Sequence, residues 1–220
     1  MGIKKIDLAL LIETAGYFFR TKGFHGTRMQ EIADRLHVNK ASLYHHIMDK
    51  EALALKTIEA QYHFFQEHVF ALAYEDMLSP RARLSQFAAA LETYFLDGDG
   101  GCLMGHFALE LGHQMPTLSA VIRTYFSAWT DALTALFQTQ YVEDTARALA
   151  TQAVARFQGA LISHRLGDEA GLLKQKDLLL ETFDAAHPAA VSSSGLTPLD
   201  ISTRQPSRNF DELGLLGEGV

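Results

Sequence analysis

The run Asn39-Lys40-Ala41-Ser42-Leu43-Tyr44-His45-His46-Ile47-Met48 carries residue types whose spacing suits one kind of chemistry. On a helix, at about 100° per residue, Leu43 and Ile47 fall four apart on one side. Ala41, Tyr44, His45 and Met48 fall on the other side, flanked by Lys40 and Ser42. Small residues admit close approach, and ammonium, phenol and imidazole tips reach base edges and phosphate oxygens. A helix seated only on its own protein has little use for Tyr and His side by side on its outer face. The partner such a face fits is double-stranded DNA, with Lys40 and His45 towards base edges. Thr27, Tyr44, His46 and Lys50 would face mainly phosphates, Arg28 adds a charge that suits one, and Ala41 and Ser42 allow the close approach.

A second constellation lies further on. His106, Glu110 and His113 recur at i, i+4 and i+7 on one helical face, and imidazole and carboxylate are ordinary zinc ligands. Three ligands and a water would resemble a hydrolytic centre. This is the only foothold for an all-helical metalloenzyme, a ligand carrier or a metal-responsive protein. Gly105 and Gly112 weaken that helix, and neither His lies in a recognised zinc motif. No nucleophile elbow, phosphate loop or nucleotide fingerprint appears. We therefore expect no metal, no cofactor and no catalysis, with these three residues acting as satisfied polar groups or as hydrogen-bonding partners of a bound molecule. Cys102, the single cysteine, excludes an internal disulfide and points to a reducing cytoplasm. Nothing beside it in sequence would lower its pKa.

Helices must place the first constellation. Thr27 stands three residues before Gln30, as in a capping box. Ile32, Ala33 and Leu36 give the helix that follows an apolar face. His37-Val38-Asn39 interrupts the pattern, and Asn39 is a good N-cap for a helix from Lys40. Helix, three-residue turn, helix is a helix-turn-helix, whose second helix enters the major groove. Asp49 caps the next helix and puts Lys50 in its first turn, where backbone N–H groups already favour a phosphate.

At this point the chain resembles a known family. Ala15-x-x-x-Phe19, Gly23-Phe24, Thr27, Ile32-Ala33, Val38, Leu43-Tyr44, His46, Lys50-Glu51 and Leu53 follow the N-terminal signature of TetR-type transcriptional regulators, without a gap over roughly the first 55 residues. Three positions depart from it. Ile47 stands where an aromatic is usual, Arg28 where a second Thr is common, and Leu36-His37 where Ala-Gly is common. The resemblance implies an all-α fold of about nine helices, a helix-turn-helix head over residues 1–55 and a ligand-binding and dimerisation body over 56–186. It also implies a homodimer on a near-palindromic operator, acting by default as a repressor, with the last two helices pairing with their copies in a four-helix bundle.

Charge is divided accordingly. Residues 1–55 hold eight Lys and Arg against six Asp and Glu, a net +2, and the remainder holds eleven against twenty, a net −9. The halves differ in sign, as when only the first touches nucleic acid. The start, MGIKKIDLALLIETAGYFF, pairs a basic patch with an apolar run, but Asp7 and Glu13 interrupt it and no small-residue cleavage site follows. No apolar stretch reaches membrane-spanning length, so a soluble protein away from the membrane is expected.

The body reads as helices throughout. The first helix runs from about Lys4 to Thr21 and ends at Gly23; a long run continues from Leu53 to about Met77; Ser79-Pro80 opens a helix through Leu96. Asp97 to Gly101 is a loop, Cys102–Glu110 a short helix, and Pro116 starts the next. Tyr62, Phe65, Phe87, Tyr94, Cys102, Met104, Phe107, Tyr125, Trp129 and Phe157 suggest a site for a small apolar or aromatic effector, with His106 or Glu110 offering a polar contact. No basic cluster awaits a strongly anionic ligand. In the closing helices, about 142–166 and 169–186, Ala146, Ala150, Ala153, Phe157, Ala160 and His164 form a seam at alternating spacings, and Leu172, Leu179 and Phe183 add an apolar side. These are the expected dimer contacts. Residues 187–220, rich in Pro, Ser and Gly, are expected to be disordered.

Overall fold

The computed structural model describes residues 7–97 and 101–186. The tail 187–220, the first six residues and the centre of the Asp97–Gly101 loop lie outside them. Among the described residues there are nine α-helices, one 3-10 turn and no strand. The helices are α1 (Leu8–Gly26), α2 (Met29–Arg35), α3 (Lys40–Tyr44), α4 (Lys50–His68), α5 (Pro80–Asp97), α6 (Leu103–Leu111), α7 (Pro116–Phe137), α8 (Glu143–Arg165) and α9 (Glu169–Asp184). None is long and apolar enough to cross a membrane.

Side-chain caps set many of the helix starts. Asp7 accepts from Ala9 N–H, Asn39 from Ser42 N–H at 2.7 Å, Asp49 from Ala52 N–H at 2.7 Å and Asp168 from Gly171 N–H. Each satisfies a backbone donor that the first turn leaves unpaired. Ser79 Oγ accepts from Ala82 N–H, with Pro80 at the first helical position as the Ser-Pro pair predicts.

Three boundaries differ from the sequence expectation. The first helix starts at Leu8, with Asp7 as its extended N-cap, rather than at about Lys4, and beyond the non-helical Gly23 one more turn carries it to Gly26. Thr27 does not cap α2. Its hydroxyl turns back to donate to Gly23 O at 2.7 Å, and it is buried. Arg28 is the capping residue, and its N–H donates to the Glu31 carboxylate at 2.9 Å. The acidic half of a capping box is thus present one residue later than Thr27-x-x-Gln30 implies. The run expected to reach Met77 stops at His68. Val69 leaves helical geometry and Phe70–Tyr74 forms the 3-10 turn. No Gly or Pro marks this break; Val69, Phe70 and Ala73 are buried where the turn packs against α4, α5 and α7. Tertiary packing overrides local helix preference here.

The core of the body is aromatic. Trp129 of α7 has Phe95 stacked at 6.2 Å, Phe157 of α8 at 5.7 Å, Phe70 at 6.5 Å and its helix neighbours Tyr125 and Phe126 at 6.0 and 6.5 Å. Phe65 of α4 meets Tyr125 edge-on at 5.2 Å. Offset and edge-to-face pairs of this kind contribute about 0.5–1.5 kcal/mol each beyond the area they bury. α8 lies between α7 and α9, turning Ala146, Ala150, Ala153, Phe157 and Ala160 inward.

Head and body form one continuous unit through Ala186. α1 packs on both α4 and α6, and Phe107 of α6 sits edge-on to Phe19 at 5.3 Å and Phe24 at 6.2 Å. A body side chain therefore completes the core beneath the helix-turn-helix.

Candidate nucleic-acid interface

α3 is seated as its periodicity predicts. Leu43 and Ile47 are buried with Ile32 and Ala33, while Lys40, Ala41, Tyr44, His45, His46 and Met48 face solvent. Tyr44 is 43% exposed, and the Lys40 ammonium lies 5.8 Å from its ring centroid. That contact holds the two groups side by side on the outer face. Arg28, at the start of α2, is also exposed.

Three residues expected at this surface are spoken for elsewhere. Thr27 is buried, as described. Ser42 is buried, and its hydroxyl donates to Asn39 Oδ1 at 2.9 Å, completing the cap of α3. Lys50 is half-buried: its ammonium donates to Phe24 O at 2.9 Å and Thr27 O at 3.0 Å and lies 4.3 Å from the Phe24 ring centroid. It closes the turn between α1 and α2 and leaves at most one ammonium hydrogen for a phosphate. Of the expected phosphate contacts, Arg28, Tyr44 and His46 remain on the open side.

The turn carries one strained residue. His37, standing where the family commonly has Gly, has φ 54°. That is the left-handed region, costly for a residue with a Cβ.

The constellation read as a possible metal site is pulled apart by its hydrogen bonds. Both Glu110 oxygens accept from the head, from Phe24 N–H and His25 N–H at 2.7 Å each. These donors start the short helical turn that follows the break at Gly23, so the carboxylate acts as a cap supplied from α6. His106 Nε2 lies 2.8 Å from Arg165 Nη1, and His113 is exposed. Among the described residues no group of His, Cys, Asp and Glu is placed to hold a metal ion. Burial, then the Arg165 charge, pushes the His106 pKa below its ordinary value, so this ring favours its neutral form. Burial raises the Cys102 thiol, which opposes a thiolate redox sensor.

Arg165, at the end of α8, completes the junction. Its guanidinium donates to Arg20 O and Thr21 O at 3.2 Å each. These are carbonyls of α1 just before Gly23, where the helix can no longer satisfy them. Nothing in the sequence pattern singles out Arg165 or Arg20, because the contact spans 145 residues of chain.

The residues expected around an effector separate into groups. Phe65, Phe87, Met104, Phe107, Tyr125, Trp129 and Phe157 are fully packed core. Tyr62 is partly buried against Tyr125, with its hydroxyl accepting from Gln66. Tyr94 lines a cavity of about 580 Å³ with Arg20, Phe64 and Ala90, and donates to Gln61 at 2.7 Å. Cys102 and His106 line a second cavity, of about 490 Å³, between α6 and α8. Leu109, Phe126, Gln158, Leu161, Ile162 and Arg165 complete most of its wall.

The expected dimer contacts also need correction. Ala146, Ala150, Ala153, Phe157, Ala160, Leu172, Leu179 and Phe183 are buried within the chain's own core, and His164 is half-buried. The seam is real, but it packs α8 against its neighbours α7 and α9.

Residues 11–57 match the family described as bacterial regulatory proteins, tetR family, and residues 80–175 match the C-terminal domain of LmrA/YxaF-like transcriptional regulators. The HTH-type transcriptional repressor DhaR of Mycobacterium sp. (strain GP1) is 29% identical over 195 residues, spanning 84% of this chain and 94% of that protein. The negative transcriptional regulator IcaR of Staphylococcus epidermidis is 34% identical over 55 residues, 25% of this chain and 30% of that protein. The fold is shared with a TetR transcriptional regulator from Legionella pneumophila (TM-score 0.74, 20% identity, 81% of this chain and 98% of that one). It is likewise shared with regulatory protein TetR from Rhodobacter sphaeroides (TM-score 0.68, 23% identity, 79% and 96%). With both matched segments in one all-helical unit and a recognition helix turned outward, the chain belongs to the TetR family and is a DNA-binding transcriptional regulator.

Proposed function

We propose that the chain is a cytoplasmic, non-catalytic repressor that holds a near-palindromic operator as a homodimer and is released by a small, largely apolar effector. The observation that carries the DNA-binding part is the orientation of α3: Leu43 and Ile47 seal it to the head while Lys40, Tyr44, His45 and His46 project outward together. The repressor names of DhaR and IcaR support the sign of regulation. In this reading Lys40 and His45 read base edges, and Arg28, Tyr44 and His46 set the register on phosphates.

Dimerisation is assigned to the outer face of α8. Thr145, Ala148, Gln152, Ala155, Gly159, Ile162 and Leu166 are all exposed and recur at alternating spacings of three and four. A Cβ added to Gly159 would meet nothing within 4 Å, so the face is open at its centre. With Leu173 of α9, 43% exposed, this stripe supplies the small and apolar surface that a close helix pair needs. Two-fold symmetry would then place two heads on half-sites about 34–36 Å apart, or a multiple of that.

The effector reading rests on the junction. Glu110 and Arg165 are body residues bonded to the head, and Arg165 lines the α6–α8 cavity. A ligand there can alter DNA affinity because it touches a group whose partners lie in α1. The test is a gel shift with DNA from upstream of the chain's own gene, repeated at rising salt and with apolar metabolites. A single retarded species lost on effector addition supports the proposal. Binding indifferent to sequence, or none, would refute it.

A further inference from the structure

The cavity walled by α1, α4 and α5 is separate from the one between α6 and α8, and its chemistry differs. Phe64, His68 and Tyr94 form its aromatic wall: the Phe64 ring stacks on His68 at 4.7 Å and lies 5.5 Å from Tyr94. Val69, Ala89 and Ala90 add aliphatic surface. The one permanent charge is Arg20, carried in from the DNA-binding head by α1, and among the described residues no acidic side chain lines the cavity. Arg20 is half-buried. Its Nη1 donates to Tyr94 Oη at a long 3.3 Å, while its buried Nε has no hydrogen-bond partner within the chain. A buried donor in that state is destabilising until an acceptor meets it. The ion pairs among the described residues, Lys22–Glu31, Arg81–Asp184 and Arg147–Asp131, leave Arg20 out. Tyr94 cannot supply the missing negative charge. Its O–H donates to Gln61 Oε1 at 2.7 Å, and burial raises its pKa against the smaller pulls of Arg20 and Gln61, so the phenol stays neutral. The strongest bond open to a guanidinium is the two-pronged pair with a carboxylate.

We propose that the α1–α4–α5 cavity is a second ligand site, for a planar aromatic carboxylate whose ring packs among Phe64, His68 and Tyr94 and whose carboxylate pairs with Arg20. It goes beyond the effector reading above, and it shares no lining residue with the α6–α8 cavity or with the face of α8 assigned to dimerisation. The aromatic wall selects the ring, because offset and edge-to-face contacts between rings add to the area they bury and an aliphatic chain gains the area alone. One arginine suits a monoanion, and a strongly anionic ligand would still find no basic cluster. At about 580 Å³ the cavity falls within the range of small-molecule sites. Its occupant would join head to body, since Arg20 belongs to α1 while Phe64 and His68 belong to α4 and Tyr94 to α5. Arg165 makes a comparable link through the backbone carbonyls of Arg20 and Thr21, which a ligand on the Arg20 side chain leaves in place.

The experiment is calorimetric titration of the full chain with 2-naphthoate, 2-naphthylmethanol, 2-naphthylmethylammonium and decanoate. No DNA is present, so the outcome is independent of effector release. Naphthoate should bind about tenfold or more tightly than the alcohol, the margin of a charge-assisted hydrogen bond. The ammonium probe should bind more weakly than the alcohol, and decanoate more weakly than naphthoate. Arg20→Gln should bring naphthoate down to the level of the alcohol while the alcohol keeps its affinity, which shows that the variant is folded and its cavity intact. Arg20→Lys, which keeps the charge and loses the fork, should fall between wild type and Arg20→Gln. Thr93→Phe, at an exposed position on the cavity wall, should block every probe. Equal affinity for acid and alcohol, or a preference for the acid that survives Arg20→Gln, would overturn the pairing with Arg20. Decanoate binding as tightly as naphthoate would overturn the choice of an aromatic ligand. Naphthoate binding that survives Thr93→Phe, or no binding of any probe to the wild type, would overturn the site.

Discussion

Glu110 Oε2 accepts from the backbone N–H of Phe24 at 2.7 Å, across 86 residues of chain. One helix of the body thereby caps a turn of the DNA-binding head. The pairing depends on the residue before Phe24: Gly23 has φ 75°, and a Cβ built on it would lie 2.8 Å from the same carboxylate oxygen. Gly23 is therefore required twice, by its left-handed backbone and by the space it leaves for Glu110.

Gly23→Ala should accordingly cost more than the strain of a positive φ alone, because it also dislodges the cap. Glu110→Ala removes the cap without the strain and should destabilise by about 1–3 kcal/mol. In a double-mutant cycle by urea unfolding, the two losses should be strongly non-additive, since each disrupts the same cap. Additive losses would mean that the carboxylate does not depend on the glycine.

His37 gives a prediction of the opposite sign. Its φ of 54° is strained for a residue with a Cβ, and its side chain is exposed. His37→Gly relieves that strain and gives back part of the gain in unfolded-chain entropy, for a net stabilisation of about 0.5–1 kcal/mol. Denaturant unfolding checks it. A loss of stability would mean that the imidazole makes an interaction strong enough to outweigh the backbone strain.

Acid should weaken the junction through His106. Burial, then the neighbouring Arg165, holds its pKa below the ordinary 6.5, against a smaller opposing pull from Arg20 O and the Glu110 charge. The unfolded chain takes up this proton more readily than the folded one. The stabilising contribution is thus complete above about pH 6.5 and is lost as pH falls through the lowered folded value. The useful reading is wild type minus His106→Gln, which cancels whatever the two chains share. That difference in melting temperature should shrink between about pH 7 and pH 5. A constant difference would show that His106 does not titrate in this way.

What the sequence could and could not disclose follows from the range of each interaction. The helices, the caps at Asn39 and Asp49 and the inward pair Leu43–Ile47 were legible because they depend on residues three or four apart. The side of α8 that is left exposed was not. Its inner seam and its outer stripe share the same alternating spacing, and only packing against α7 and α9 shows which is covered. Lys50 reads as a phosphate contact from its place at a helix start, but its acceptors, Phe24 O and Thr27 O, are more than twenty residues away. The aromatics of α7 read equally well as a pocket or a core, and the core took them. Arg165 carries no local signal at all.

The two faces of α8 therefore separate by mutation. Gly159→Arg, with its Cβ in open space, should leave the fold intact and give monomers in sedimentation that lose specific DNA binding. Ala153→Arg, at a position 1% exposed, should instead unfold the body, since an unpaired charge would enter a packed apolar seam. A folded dimer with Gly159→Arg would move the interface off α8.

At the DNA surface the same division applies to two lysines that look alike in sequence. Lys40 is exposed on the outer face of α3, so Lys40→Ala should change stability by no more than about 0.5 kcal/mol. It should alter preference at particular base pairs, by about 1–3 kcal/mol for each base edge that the lysine reads well. Arg28→Ala should weaken all sequences alike and reduce the salt slope by about one. Lys50→Ala should behave differently from both. It strips Phe24 O and Thr27 O of their donor and removes a cation held 4.3 Å from the Phe24 ring centroid, loosening the turn that orients α2 and α3. The expected loss is about 1–3 kcal/mol of stability, with DNA affinity falling because the head is less ordered. Melting curves and salt-dependent binding on the three variants distinguish these outcomes. If Lys50→Ala melts like wild type and only its salt slope changes, Lys50 is a phosphate contact, and its bonds to the turn are dispensable.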